Sequence, residues 1–415
     1  MRFGADILKQ ADVLASYTED PPRVTRRYLT TQHRQAGDYL AALMRDAGME
    51  ARYDALGNVV GRYAADRPDA PVVMTGSHMD SVRDAGRYDG LFGILSAIAC
   101  VRDLHRRGRR LPFAFEVVAF GDEEGVRFGV TLTGSKAMGG AFDPAWLDAT
   151  DAEGTTLREA LVAFGGDPDG WRALDRRGTG VVAYVESHIE QGPVLLDEGL
   201  PVGVVTAIAS GARLRVNVTG LAGHAGTVPM GSRRDALAAA AEMVLEVERI
   251  ASAPGAGGSA RVGTVGTIHA KPGAINVIPQ EVSFTVDVRS GDDPARIRAT
   301  AEMRAAFEAI ASRRNVAVTS EVFHELPAAP CDRSLQDALA ASIARQGLPV
   351  RRLASGAGHD AMAFPPVCPI AMLFVRCGAG GISHHPDETL TAEDAEVATA
   401  VFLDFLETWS PPARR

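Results

Sequence analysis

Residues 71–80, PVVMTGSHMD, and residues 112–125, PFAFEVVAFGDEEG, decide the reading of the fold. Each is a short apolar run that ends at glycine or serine and delivers a histidine or paired carboxylates at once. A continuous apolar run without alternation predicts a strand buried on both faces, as in a parallel sheet covered by helices. Strands over 71–76 and 112–120 bracket LFGILSAIACVRDLHRRG, in which Leu91, Ile94, Leu95, Ile98, Val101 and Leu104 recur at helical spacing. GVVAYVES (180–187) and PIAMLFVRC (369–377) read as two more buried strands. Upstream, Tyr28, Leu29, Tyr39, Leu40, Leu43 and Met44 predict a helix that stops at Gly48, and DALGNVVGRYA reads as strand, Gly57-Asn58 turn and strand. Buried strands alternating with helices define an α/β domain.

The middle of the chain has another rhythm. Strands over 213–219, 262–269, 281–288 and 315–323, with helices over 233–251 and 294–312, follow the order β-α-β-β-α-β of a ferredoxin-like unit. The stretch ASAPGAGGSA (251–260) reads as the loop after its first helix. The α/β pattern resumes near Pro330. The expectation is an α/β domain formed by 1–211 and 329–415, interrupted by an inserted α+β domain over 212–328.

Composition narrows the function. Lys and Arg total 43 against 52 Asp and Glu, a net charge of −9, and no basic run longer than the short clusters at 106–110 is present. A nucleic-acid binder would show a basic face, so that class is set aside. The apolar stretch Leu91–Val101 is too short to span a bilayer. MRFGADILKQ, broken by Asp6 and Lys9, does not read as a signal peptide, and Cys100, Cys331, Cys368 and Cys377 show neither CxxC spacing nor disulfide density. These features give the expectation of a cytoplasmic protein with reduced thiols.

Chemistry gathers where the buried strands end. The run 71–76 leads to His78 and Asp80, 112–120 to Asp122, Glu123 and Glu124, 180–187 to His188 and Gln191, and 369–377 to Ser383, His384 and His385. Asp89 stands just before the helix that starts near Leu91. Ligands of open α/β sheets collect outside the carboxyl ends of the strands. Of only ten histidines, three fall at such ends, whereas His33 and His105 sit in helical patterns and read as structural. Imidazole with carboxylate suits zinc, manganese or cobalt better than calcium or magnesium. Three histidines and two carboxylates exceed one four-ligand site, while two ions sharing a bridging carboxylate would use them all.

GSHMDSV, GRYDG, VVAFGDEEGVRF, ESHIEQG, HAGTVPM, NVIP and GISHHP, in this order, resemble the hydantoinase/carbamoylase amidases of the M20 metallopeptidase superfamily over nearly the whole chain. RLPFAFEVVAFGDEEGVRFGVTLTGS and SGAGHDAMAF resemble the allantoate amidohydrolases of that group most, with N-carbamoyl-L-amino acid hydrolases as near relatives. The resemblance implies a di-metal aminopeptidase-like catalytic domain with a ferredoxin-like lid and dimerisation domain. It implies two divalent ions, zinc or manganese with cobalt as an alternative. His78, Asp89 and His188 match the ligands of one ion, with Asp89 bridging, and Glu124 and His384 match the rest of the second ion's set. His385 is the neighbour that competes with His384.

By the same resemblance, Glu123 is the general base and Asp80 the carboxylate that orients His78. Gln191, His224, Asn276, Arg289 and Gly358 match substrate-binding positions, and His224 also matches a histidine that reaches the scissile carbonyl, often from a partner subunit. A homodimer through the inserted domain follows, acting on a small ureido acid. Standing alone, Arg289 is a surface charge at a strand end and His224 a loop histidine. Four rival readings stand beside this one, the nearest a di-metal aminopeptidase or dipeptidase that would use the same machinery on peptides. A serine hydrolase lacks its G-x-S-x-G elbow. GAGGIS (378–383) lacks the G-x-G-x-x-G of a nucleotide site. A non-catalytic binding protein would have no reason to keep Glu123 beside all five ligand positions.

Overall fold

A computed structural model describes residues 2–253 and 260–411. The chain forms two compact units. One comprises residues up to Thr206, Cys331–Leu353 and those from Ala357; the other comprises Ala207–Pro330 and Ala354–Gly356.

The first unit is built on strands β1 (Glu50–Tyr53), β2 (Val59–Tyr63), β3 (Val72–His78), β4 (Ala114–Phe120), β5 (Val181–Ile189) and β6 (Val202–Ile208). At its centre β4, β3 and β5 run parallel, with His78 opposite Phe120 in the register. Every residue of β3 and β4 is buried, as unbroken apolar runs require. Helix Leu91–Arg106 lies on this sheet with twelve buried residues, among them Leu91, Ile94, Leu95, Ile98, Val101 and Leu104. Its approach is close: a Cβ added at Gly93 would lie 2.2 Å from the Ser187 carbonyl oxygen of β5. Gly93→Ala should therefore push the helix off the sheet at a cost of about 1–3 kcal/mol. A urea midpoint equal to that of the wild type would show that the contact yields freely.

The second unit carries β7 (Ser210–Thr219), β8 (Gly223–His224), β9 (Arg261–Lys271), β10 (Val277–Ile278), β11 (Glu281–Ser290) and β12 (Ala317–Leu326). Its four long strands are antiparallel in the order β12-β7-β11-β9. Along β7, Ala212, Leu214, Val216 and Val218 are buried while the residues between them face outward. That face packs on helices Ala236–Ser252 and Asp293–Arg314 through Met243, Val247, Met303 and Phe307. The order of long elements is the β-α-β-β-α-β read from the sequence, with the small β8/β10 ladder added. Most of the loop read over 251–260 lies outside the described residues.

The chain then returns through β13 (Ala329–Pro330), β14 (Arg352–Ser355) and β15 (Ile370–Val375). β15 joins the large sheet parallel to β5, which completes the path β1-β2-β4-β3-β5-β15-β6-β13. The structure departs from the sequence expectations at four points. Helix Gly4–Ala15 was not read, and the next helix begins at Thr31, capped by Thr30, so Tyr28 and Leu29 precede it. The strand expected over 180–187 continues to Ile189, which places His188 inside it. Strands β6 and β14 went unread.

Candidate metal centre

The parallel array β4-β3-β5-β15 sets its carboxyl ends along one edge, and the first unit's candidate residues come from that edge and the loops beyond it. His78 is the last residue of β3, His188 the last but one of β5, and Asp89 lies just ahead of the helix at Leu91. His78 Nδ1 is 3.0 Å from the Asp80 carbonyl and His188 Nδ1 is 2.9 Å from the Ile189 carbonyl. A carbonyl only accepts, so each Nδ1 carries its proton and each Nε2 can turn a lone pair outward. Those Nε2 atoms lie 3.7 and 3.4 Å from Asp89 Oδ1. On the other side, His384 Nε2 stands 3.1 Å from Asp89 Oδ2 and 3.4 Å from Glu124 Oε1.

Two triads result, His78–Asp89–His188 and Asp89–Glu124–His384, and in each the candidate ligand atoms lie within 4.8 Å of one another. They share Asp89. The neighbouring His385 instead accepts a hydrogen bond from the Asp387 N–H and joins neither triad.

These side chains suit a cation. Among the described residues, Glu124 Oε1 is buried without a hydrogen-bond partner, an arrangement that costs about 1–3 kcal/mol unless a positive charge meets it, and Asp89 Oδ2 has only the His384 ring beside it. The local electrostatics point the same way. Burial pushes the Glu123 carboxyl well above its usual range, reinforced by Glu124. Burial, then Asp89, takes Glu124 to about 7. The hydrogen bond to Asp89 raises His384 to about 9. Burial opposes a charge on His78, yet Asp89, Glu123 and Glu124 outweigh it and hold the imidazole well above its ordinary value. The cluster thus draws protons where it has no other positive charge, and divalent ions binding there would displace them. A further grouping, Glu186–His188–His359, is not a separate site. His188 has one nitrogen committed to Ile189 and the other facing Asp89, while Glu186 accepts from Ser77, Tyr184 and the Ala361 N–H.

Asp80 corrects the sequence reading in one respect. Its carbonyl, not its carboxylate, holds the His78 ring; the carboxylate accepts the N–H groups of Glu123 at 3.1 Å and Glu124 at 3.3 Å. The N–H donors of the tight turn after β4 need an acceptor, whereas the His78 ring nitrogen is already satisfied by backbone. Asp80 therefore positions the pair of glutamates. Asp122, whose φ of 64° is left-handed, supports the same turn by accepting from Thr133 Oγ1 at 2.5 Å. Thr133 was not singled out in the sequence, though the polar TLTGS after this turn was the available signal.

The remaining candidates divide between the units. In the first, Gln191 Nε2 donates to Asp89 Oδ1 at 3.0 Å, and a Cβ on Gly358 would be 3.8 Å from Glu123 Oε1. In the second, His224 pairs with Val277 across the β8/β10 ladder, and the Asn276 carbonyl accepts the Ala225 N–H at 2.9 Å, so His224 and Asn276 are neighbours. Arg289 lies near the end of β11, its guanidinium held by Asp287 at 2.9 Å and by the Gly356 carbonyl at 3.0 Å.

A convergent histidine and carboxylate cluster at the carboxyl edge of an α/β sheet is the equipment of a metal-using hydrolase. The chain belongs to Peptidase family M20/M25/M40, whose sequence profile matches residues 74–408. It is 42% identical over 378 residues to an N-carbamoyl-L-amino acid amidohydrolase of Geobacillus stearothermophilus, covering 91% of each chain. It is 39% identical over 412 residues to allantoate deiminase 1 of Glycine max, covering 93% of this chain and 85% of that one. A crystal structure of a hydantoinase/carbamoylase family amidase from Burkholderia multivorans superposes with a TM-score of 0.90 at 33% identity, over 98% of this chain and 97% of the other. The protein is an amidohydrolase. Among the described residues, no helix is long and apolar enough to cross a membrane.

Proposed function

We propose that the protein cleaves the ureido C–N bond of allantoate, releasing ammonia and carbon dioxide, with N-carbamoyl-L-amino acids as the alternative substrates. The observation that carries this reading is the placement of Asp89, whose two oxygens face different imidazole sets. His78, Asp89 and His188 would hold one divalent ion and Asp89, Glu124 and His384 a second. Zinc or manganese fits this nitrogen and oxygen set, as does cobalt. Bound there, the ions would acidify water and polarise the ureido carbonyl, a poor electrophile because both of its nitrogens feed it electrons.

The protein's own groups do the rest. Glu123, raised in basicity by burial and by Glu124, takes a proton from the attacking water and returns it to the departing nitrogen. The carbamate released then falls apart to ammonia and carbon dioxide. Asp80 fixes Glu123 through its backbone N–H. His224 donates to the developing oxyanion, and Gln191, Asn276 and the Gly358 backbone place the ureido group. Arg289, its plane set by Asp287 and Gly356, receives the substrate carboxylate. The second unit serves as lid and as dimerisation domain of a cytoplasmic homodimer, with His224 acting on the site of its own chain or of the partner.

Arg289→Ala should raise KM for carboxylate substrates about 10–100-fold, the equivalent of one charge-assisted contact, and change kcat less. An equal rise for an uncharged ureido analogue would contradict the role. The function as a whole is tested by ammonia release from allantoate, N-carbamoyl-L-amino acids and dipeptides, each with zinc, manganese and cobalt. Allantoate turning over with the highest kcat/KM supports the reading. Preference for an N-carbamoyl amino acid moves the assignment to the alternative, and hydrolysis confined to dipeptides overturns both.

A further inference from the structure

Asp89 and His384 meet at the centre although nearly three hundred residues separate them in the chain. Something must set the distance between their loops. Glu388 lies between those loops and is only 3% exposed. Its Oε1 accepts the N–H of Tyr88 at 2.8 Å and of Asp89 at 3.2 Å. Its Oε2 accepts from Ser383 Oγ at 2.7 Å, and its own N–H donates to the His385 carbonyl at 3.0 Å. One carboxylate thus grips the residue before His384 and the peptide of Asp89 together.

Two backbone features show that the loops are shaped around it. A Cβ on Gly86 would fall 2.2 Å from the Glu388 carboxyl group, so the Asp89 loop omits a side chain where that group passes. His384 has a φ of 56°, a left-handed conformation that costs a non-glycine residue about 1–3 kcal/mol and persists only where the surroundings impose it. In this conformation His384 presents Nε2 to Asp89 and Glu124. Ser383, the residue just before it, is the point where Glu388 takes hold.

We propose that Glu388 is a positioning residue that holds Asp89 and His384 in register and thereby sets the affinity of the ion bound by Asp89, Glu124 and His384. The inference rests on the two-ion reading above. Its Ser383 arm reaches the loop of His384, which serves that ion alone, whereas its other arm steadies Asp89, which both triads share, so that ion depends on both arms and the other on one. The His78 and His188 rings are held separately, by the Asp80 and Ile189 carbonyls. A group that merely stabilised the fold would weaken both sites together.

The test is metal binding by the full chain, stripped of metal and titrated with zinc against a competing chelator, with bound metal counted by mass spectrometry. Wild type should take two ions. Ser383→Ala should keep one ion at wild-type affinity and bind the other about 10–100-fold more weakly, the usual effect of losing a group behind a metal ligand. Glu388→Ala should weaken that same ion at least as much, while the ion of His78, Asp89 and His188 loses less. Glu388→Gln should restore the second ion, because its amide oxygen accepts from Tyr88 and Asp89 and its NH2 donates to Ser383 Oγ. If Glu388→Ala does not fold, Ser383→Ala and Glu388→Gln decide the matter by the same criteria. Two ions bound by the alanine variants with unchanged affinities, or both weakened equally, would overturn the proposal alone. Fewer than two ions on wild type would overturn the two-ion reading and this proposal with it.

Discussion

Glu123→Gln should bind metal like the wild type and turn over about 10²–10⁴-fold more slowly, the contribution expected of a positioned general base. Glutamine keeps the size of the side chain and its backbone N–H, through which Asp80 holds the turn. It loses the lone pair that accepts a proton. Glu123 shares a cluster with His78 and Glu124 but belongs to neither triad that includes Asp89, so the ions keep their ligands. Substantial turnover in a metal-loaded Glu123→Gln protein would remove the proton-transfer role. Loss of metal together with activity would make Glu123 a ligand instead.

Asp89→Ala should have the broadest effect. Both triads lose their common member, leaving His78 with His188 on one side and Glu124 with His384 on the other. Two protein ligands are too few for a tight site, since catalytic zinc ordinarily keeps three. The variant should hold fewer than one ion per chain at metal levels that saturate the wild type, with no measurable ammonia release. The electrostatics give a second readout. The hydrogen bond to Asp89 is the main cause holding His384 at about 9. In the metal-free variant the His384 titration, followed by NMR, should move down toward the ordinary imidazole range. An unmoved titration, or two ions still bound, would show that Asp89 is not the bridge.

How much of this was legible in the sequence follows from range. β3 and β4 could be read because burial on both faces leaves an apolar run that depends on no other part of the chain. The strands of the second unit were legible from a different local pattern, burial on one face, with β7 alternating strictly between buried Leu214 and Val216 and exposed neighbours. The candidates His78, Glu123, Glu124, His188 and His384 were visible because each lies at the end of an apolar run or in the loop beyond it, whereas Asp89 stands just ahead of a helix. Helix Gly4–Ala15 was missed because only Ile7, Ala11 and Leu14, with Gly4, turn inward, a stripe too sparse to stand out from loop. Strand β6 was missed because VGVVTAI runs almost directly into β7, with Ala209 alone between them.

Contacts between distant loops were not legible at all. The Asp80 carboxylate meets the Glu123 and Glu124 amides forty-odd residues away, and nothing in SHMD announces that choice over the adjacent His78 ring. Glu388 is the stronger case. In GISHHPDE it is one acid in a polar loop, and its burial against Tyr88 and Asp89 appears only when the two loops are brought together. The sequence names atoms able to bind metal; the packing beneath them decides which are held in place.

The most direct measurement is the rate of ammonia release from allantoate as metal is returned stepwise to the chelated protein, with bound ions counted at each point. The account predicts negligible release without metal and full activity only as the second ion per chain is filled. Release that survives exhaustive chelation, or that saturates with a single bound ion, would contradict it.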